Sequence, residues 1–292
     1  EKSGTLYRVK EGQKTIINGL PEIYTRGQGG LLDVALHPNF SENKIIYMTL
    51  GANVEKDDKG GNTAFYCATL NGTELSDVKL LYKAAPNSKK GQHFGSRIVF
   101  DQEGHVYFGV GDRGNRDANP QDLARDGGKV YRLNLDGSIP EDNPFVKEAE
   151  AKKAVFSYGH RNPQGMVVHP KTGQVWENEH GPQGGDEINI IKKGVNYGWP
   201  KITYGINYSG TPITDKTSAP NMEQPFYYWV PSIAPSGMAF STSGVYKEWK
   251  DNLFVGSLKF EYLERLVIQN NKVVKREKVL DKIGRVRNVV EG

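Results

Sequence analysis

The stretch "GSRIVFDQEGHVYFGVGD", residues 95–112, decides the fold. It opens on small residues and runs through an apolar strand to an Asp/Gly turn. A second strand follows and ends at a glycine, which is the pattern of a β-hairpin. The same plan returns in "GGLLDVALHPNFSENKIIYMTL" (29–50), "GMVVHPKTGQVWENEHG" (165–181) and "SGMAFSTSGVYKEWKDNLFVGSL" (236–258). These starts lie about 66 to 72 residues apart, and a fixed period is the mark of a repeat architecture. Between them, "GKVYRLNL" and "ERLVIQNNKVVKREKVL" add further short β-rich runs bounded by turn residues. Convincing amphipathic helices are few, while 34 glycines and 15 tyrosines suit many short strands. The pattern predicts an all-β protein of four-stranded antiparallel sheets repeated around an axis, a β-propeller, with a barrel or sandwich as the alternatives. Counting partial units gives six blades. "GTLYRV" reads as a late strand and "GRVRNVVEG" as an opening one, so the terminal blade is expected to be incomplete. Residues 1–292 read as a single propeller domain, with "NYSGTPITDKTSAPNMEQP" (207–225) a long blade loop rather than a linker.

Composition narrows the function classes. No run approaches the roughly 18 apolar residues of a membrane span. Lys and Arg total 38 against 34 acids, for a net charge of +4, and they are scattered rather than gathered in a stripe. Nucleic-acid binding is therefore not expected. The lone cysteine, Cys67, excludes an internal disulfide framework and a cysteine zinc cluster.

In a propeller the loops at one mouth converge, so polar groups distant in sequence can meet there. The candidates are His93 in "GQHFGSR", Asp112 in "GVGDRGN", Arg161 and Asn162 in "GHRNPQG", the turn "HGPQGGD", Lys259 in "GSLK", and Arg285 with Arg287 in "GRVRN". Nearly all sit beside a glycine at an apparent strand end, where backbone can approach a ligand closely. Taken singly, each glycine is as well explained by an ordinary turn; the recurrence in successive repeats is what points to a site. Other motifs fail. Gly109–Gly114 fits G-x-G-x-x-G, but "NRDANPQD" cannot open a dinucleotide-binding helix. "DRGNRDAN" lacks the glycine and glutamate of an EF-hand loop. There is neither an H-E-x-x-H pair for zinc nor a G-x-S-x-G elbow for a serine hydrolase.

Taken in order, "GQGGLLDVALHPNF", "GQHFGSRIVFD", "GHRNPQGM", "EHGPQGGDEINI", "GVNYGWP", "GSLK" and "GRVRNV" resemble the soluble pyrroloquinoline-quinone (PQQ) dependent glucose and aldose sugar dehydrogenases over most of the chain. "EHGP" and "NYSG" look closer to the aldose branch. The resemblance implies a six-bladed propeller that oxidises the C1 hydroxyl of aldoses to the lactone. The reaction would pass a hydride to PQQ, with Ca²⁺ assisting, and electrons would go on to an artificial or protein acceptor. By position it assigns His93 as general base and Arg161 as stabiliser of the quinone oxygens beside Asn162. Lys259, Arg285 and Arg287 become partners for the cofactor's carboxylates, and the main-chain oxygens of Gly181 and Pro182 become calcium ligands. It places Gln28 and Asp112 near the sugar, with Asp112 also among the catalytic groups, while Tyr228 and Trp229 offer either an aromatic face to the sugar or a place in a blade core. It further implies a periplasmic or secreted monomer or homodimer. Gln92 and His180 depart from the glucose-specialised pattern, which bears on sugar selectivity. The competing readings are a calcium-dependent lactonase-type hydrolase and a non-catalytic carbohydrate- or protein-binding propeller.

Overall fold

The computed structural model describes residues 1–56 and 58–292. A hairpin of β1 (Leu6–Lys10) and β2 (Gln13–Ile17) comes first. The first full sheet holds β3 (Leu31–Leu36), β4 (Ile45–Ala52), β5 (Asn62–Asn71) and β6 (Glu74–Lys83). The second holds β7 (Ile98–Phe100), β8 (His105–Val110), β9 (Lys129–Asn134) and β10 (Val155–Tyr158). In the third are β11 (Pro163–Val168), β12 (Val175–Glu179), β13 (Asp186–Ile190) and β14 (Tyr227–Trp229). The fourth is built from β15 (Pro235–Phe240), β16 (Leu253–Ser257), β17 (Leu263–Gln269) and β18 (Lys272–Leu280). Each sheet is an antiparallel meander in chain order, as the hairpin repeats require. Helix is confined, among the described residues, to Phe40–Asn43 and a 3₁₀ turn at Lys247–Trp249.

The sheets stand side by side around a shared centre. Their first strands line it, since β7 touches β3 and β11, and β11 touches β15. In the second and third sheets the middle strands are buried on both faces, because each of these sheets has a neighbouring sheet on either side. Alternation along a strand then sends consecutive residues to different interfaces. Phe108 packs toward the first sheet with Tyr47 and Phe65, while Tyr107 packs toward the third with Phe156 and Met166. Between the first two sheets the rings form a continuous stack: Tyr47–Phe65 at 5.6 Å, Phe65–Phe108 at 4.8 Å and Phe108–Tyr131 at 5.0 Å. Trp176, Ile188, Met238 and Leu253 join the third sheet to the fourth. The β1–β2 hairpin covers the outer side of the first sheet through Ile17. The segment "GRVRN" at the other end runs beside β15, where the Gly237 amide donates to the Arg287 carbonyl at 3.2 Å.

This is a β-propeller arrangement of four-stranded sheets, as the repeats predicted. Four sheets are complete among the described residues and β1–β2 makes a two-stranded fifth; six as the number of blades stays an expectation.

One irregularity recurs at the start of three of the four first strands. Register shifts fall at Leu31/Asp33 in β3, Pro163/Gly165 in β11 and Pro235/Met238 in β15, while β7 has none. A bulge bends its strand and re-aims the side chains beside it. In β11 the bulge demands glycine, since a Cβ on Gly165 would lie 2.1 Å from the Ser236 carbonyl oxygen.

Candidate active site

In a meander the start of the first strand and the end of the second lie at the same end of the sheet. Gln28, His93 and Arg161–Asn162 precede β3, β7 and β11, while Asp112, Gly181–Pro182 and Lys259 follow β8, β12 and β16. The topology therefore delivers these scattered residues to one mouth.

His93 and Asp112 are its most tightly specified pair. The His93 Nδ1 lies 2.6 Å from the Asp112 carboxylate. An ionised carboxylate only accepts, so Nδ1 carries the proton and Nε2 keeps a lone pair. Asp112 is 1 % exposed, and its oxygens also take the Gly114 amide at 2.7 Å and the Trp199 indole N–H at 2.9 Å. Burial pushes this carboxyl up, but the hydrogen bond and charge of His93, the charge of Arg161 and the Trp199 bond hold it below its ordinary 3.8. Burial pushes His93 below 6.5; the Asp112 bond opposes this and the Arg161 charge reinforces it. A neutral imidazole with an available Nε2 results. The main chain of His93 is fixed too, its amide donating to the Gln28 side-chain oxygen at 2.8 Å. Close approach is needed at Gly111, where a Cβ would sit 2.4 Å from the His93 carbonyl oxygen.

Arg161 and Asn162 form the partition between two cavities. One, of about 280 Å³, is lined by His93, Asp112, Arg161, Pro182, Trp199 and Tyr208 among others. The other, of about 200 Å³, is lined by Gln28, Arg97, Asn162, His180, Arg285 and Arg287 among others. The Arg161 guanidinium donates to the carbonyls of His180 at 2.9 Å and Gly181 at 2.7 Å. Its backbone and that of Asn162 are held from below by the buried Glu179 carboxylate, which accepts both amides, the second at 3.1 Å. Glu179 is itself fixed by His160 at 3.2 Å and Asn189 at 3.1 Å. In the second cavity His180 is kept neutral, burial pushing it down to about 3, and its Nε2 donates to the Pro235 carbonyl at 2.7 Å. Arg287 is lowered by partial burial and by the charges of Arg285 and Arg97. Arg97 is paired with Asp33 at 2.9 Å, whereas neither Arg285 nor Arg287 has a carboxylate within ion-pair distance among the described residues.

The structure thus brings together His93, Asp112, Arg161, Asn162, Gln28, Gly181, Pro182, Arg285 and Arg287. One expectation needs correction. Trp229 does not face the mouth: it is 1 % exposed in the core between the third and fourth sheets, and its indole N–H donates to Glu264 at 3.0 Å. Alternation explains this, because Tyr227 and Trp229 share one face of β14 and Tyr228 takes the other, stacking on Tyr204 at 3.8 Å. Lys259 stops short of the cavity wall, which is reached by Leu258; its ammonium lies 5.1 Å from the Phe260 ring. Asp112 is also more an anchor for His93 than an open face for sugar, given its three protein donors. Sequence reasoning missed Trp199 and Glu179 as holding residues, although both lie inside quoted motifs, "GVNYGWP" and "EHGPQGGDEINI".

Comparison with known proteins settles the family. The glucose/sorbosone dehydrogenase family model matches residues 1–292. The chain belongs to the glucose/sorbosone dehydrogenase family. It is 40 % identical over 290 residues to the aldose sugar dehydrogenase YliI of Escherichia coli (strain K12), covering 98 % of this chain and 78 % of that one. A crystal structure of a glucose dehydrogenase superposes with a TM-score of 0.94 at 38 % identity, covering 98 % of this chain and 84 % of the other. The PQQ-bound aldose sugar dehydrogenase of Streptomyces coelicolor superposes at 0.79 with 26 % identity, covering 98 % and 78 %. This member of the glucose/sorbosone dehydrogenase family is accordingly a sugar-dehydrogenase-type oxidoreductase, and no described helix is long and apolar enough to cross a membrane.

Proposed function

We propose that this enzyme oxidises the C1 hydroxyl of aldose sugars to the lactone, using PQQ and Ca²⁺ at the mouth and passing electrons to an external acceptor. The observation that carries the reading is the His93–Asp112 pair, whose 2.6 Å bond leaves Nε2 as a base inside a cavity shared with Arg161. The residues suit both groups. PQQ carries three carboxylates, and Arg285 and Arg287 crowd their like charges into one cavity wall with no carboxylate partner. Calcium takes carbonyl oxygens, and the Gly181 carbonyl already serves a cation, the Arg161 guanidinium, at 2.7 Å.

Bound there, PQQ supplies an ortho-quinone that accepts hydride, with Ca²⁺ as Lewis acid on its carbonyl. The chain's own residues do the rest. Arg285 and Arg287 neutralise carboxylates, and Lys259 would join them by leaving the Phe260 ring. Arg161 and Asn162, held by Glu179, present cationic and amide donors to developing oxygen charge. His93 takes the C1 hydroxyl proton on Nε2, and Asp112 keeps the ring in the required tautomer and stabilises the imidazolium that forms. Gln28 fixes the His93 backbone and keeps an amide N–H₂ for the sugar. A periplasmic or secreted location, a monomer or homodimer and a six-bladed ring belong to the same proposal, supported by the resemblance.

The lactonase alternative has less support, because the buried carboxylate of the His93 cavity, Asp112, is filled by protein donors rather than open to a metal. Titrating the protein with PQQ in the presence of Ca²⁺, followed by absorbance, tests the reading. Saturable binding weakened by calcium chelation is expected; no binding would contradict it.

A further inference from the structure

We propose that Arg113, in the loop after β8, is a positioning residue that sets His93 through the main chain, a role that rests on His93 being the base. Arg113 is 1 % exposed and stacks on the Phe94 ring at 3.5 Å, so it packs against the residue that follows the histidine. Its Nη1 donates to the Gln92 carbonyl, the residue just before the histidine. The second nitrogen, Nη2, donates to the Lys90 carbonyl at 2.9 Å and to the Gly61 carbonyl at 3.3 Å. One planar fork therefore gathers carbonyls on the N-terminal side of His93, a geometry for which Arg is built and Lys is not. The restraint has a purpose, since the backbone of His93 is left-handed (φ 58°), an uncommon conformation for a residue other than glycine.

Arg113 acts on this loop through main-chain carbonyls rather than through an ion pair. It has no carboxylate ion-pair partner among the described residues, and burial lowers it to about 10. Its buried Nε–H has no protein acceptor, so the polar contacts of the guanidinium all run through Nη1 and Nη2 to main-chain carbonyls. Asp112 and Arg113, adjacent in sequence, thus act on the same histidine from two directions. Asp112 fixes the ring through Nδ1, and Arg113 fixes the backbone from which the ring projects.

The test is R113M, which keeps the packing on Phe94 and removes the donors, with R113K as the milder variant. With PQQ and Ca²⁺, R113M should lower kcat about 10- to 100-fold, the scale of an ångström-level misplacement, and leave PQQ affinity within about two-fold. In an H93Q background the same substitution should change the residual rate less than about two-fold, because the group it positions is gone. R113K should fall between R113M and wild type, and it carries the test if R113M does not fold. Wild-type kcat in R113M, or an equal loss in both backgrounds, would overturn the proposal. A second arm needs no turnover: long-range ¹H–¹⁵N spectra of the imidazoles should show one Nδ1–H tautomer for His93 in the wild type and a mixture in R113M. If the wild type oxidises no aldose, the functional reading fails while this arm still decides the positioning, and an unchanged single tautomer in R113M would refute it.

Discussion

The two cavities on either side of Arg161 and Asn162 are built on opposite plans. Around His93 the polar groups are buried and already bonded to one another: Asp112 holds three donors and the His93 amide has its acceptor. Around Arg285 and Arg287 the cations are exposed, mutually repelling and without carboxylate partners among the described residues. A preorganised proton acceptor needs no ligand to assemble it, whereas a cluster of like charges reaches its low-energy state only when an anion arrives. The first plan suits chemistry and the second suits capture of an anionic cofactor.

That contrast can be broken by mutation, beginning with the largest effect. H93Q should cut kcat by about 10²- to 10⁴-fold, the usual contribution of a general base, and leave the PQQ binding isotherm in place. Replacing Arg285 or Arg287 by Ala should do the reverse. Each loss of a charge-assisted bond of about 1.5–3 kcal/mol weakens PQQ binding roughly 10- to 150-fold in an equilibrium titration. Turnover at saturating PQQ should then stay near wild type. If H93Q abolished binding, or the arginine variants lost kcat at saturation, the division of labour would be wrong.

The two tryptophans sharpen the same comparison. W229F leaves the buried Glu264 without its indole donor and should reduce unfolding stability by about 1–3 kcal/mol in urea, with KM for sugar unchanged. W199F removes a donor from the buried Asp112, so it should lower the urea midpoint as W229F does and, unlike W229F, also lower kcat. A smaller effect concerns pH. His93 is depressed below 6.5, and only its neutral form accepts a proton. The kcat/KM profile should therefore be flat above pH 6.5 and fall only below it. His180, at about 3 when folded against 6.5 when unfolded, contributes stability that is complete above pH 6.5 and is lost as pH falls toward 3. Urea midpoints across that window should drop less steeply in H180Q.

The sequence carried the sheets and most of the mouth because both depend on local pattern. Strand alternation and turn residues at a recurring spacing are visible in "GSRIVFDQEGHVYFGVGD", and His93, Asp112 and Arg161 stand at the strand ends that such a meander brings together. Trp229 was ambiguous for a physical reason: the three aromatics Tyr227–Trp229 show no apolar/polar alternation, so only the pairing of β14 with β13 reveals which of them points inward. Lys259 shows why a residue's place at a strand end does not fix where its side chain lies: a long side chain can lie over Phe260 as easily as over a cavity. Trp199, Glu179 and Arg113 act across 17 to 87 residues of chain, or through backbone carbonyls, and no spacing rule reports such contacts.

The central claim is that His93 removes the proton while Arg285 and Arg287 only hold the cofactor, and one assay addresses its first half most directly. The protein and its H93Q variant, each shown to bind PQQ, are supplied with Ca²⁺, a panel of aldoses and a reducible dye. The account predicts dye reduction that requires PQQ, Ca²⁺ and sugar together and that collapses in H93Q. Reduction by H93Q at the wild-type rate, or none by the PQQ-loaded wild type with any aldose, would contradict it.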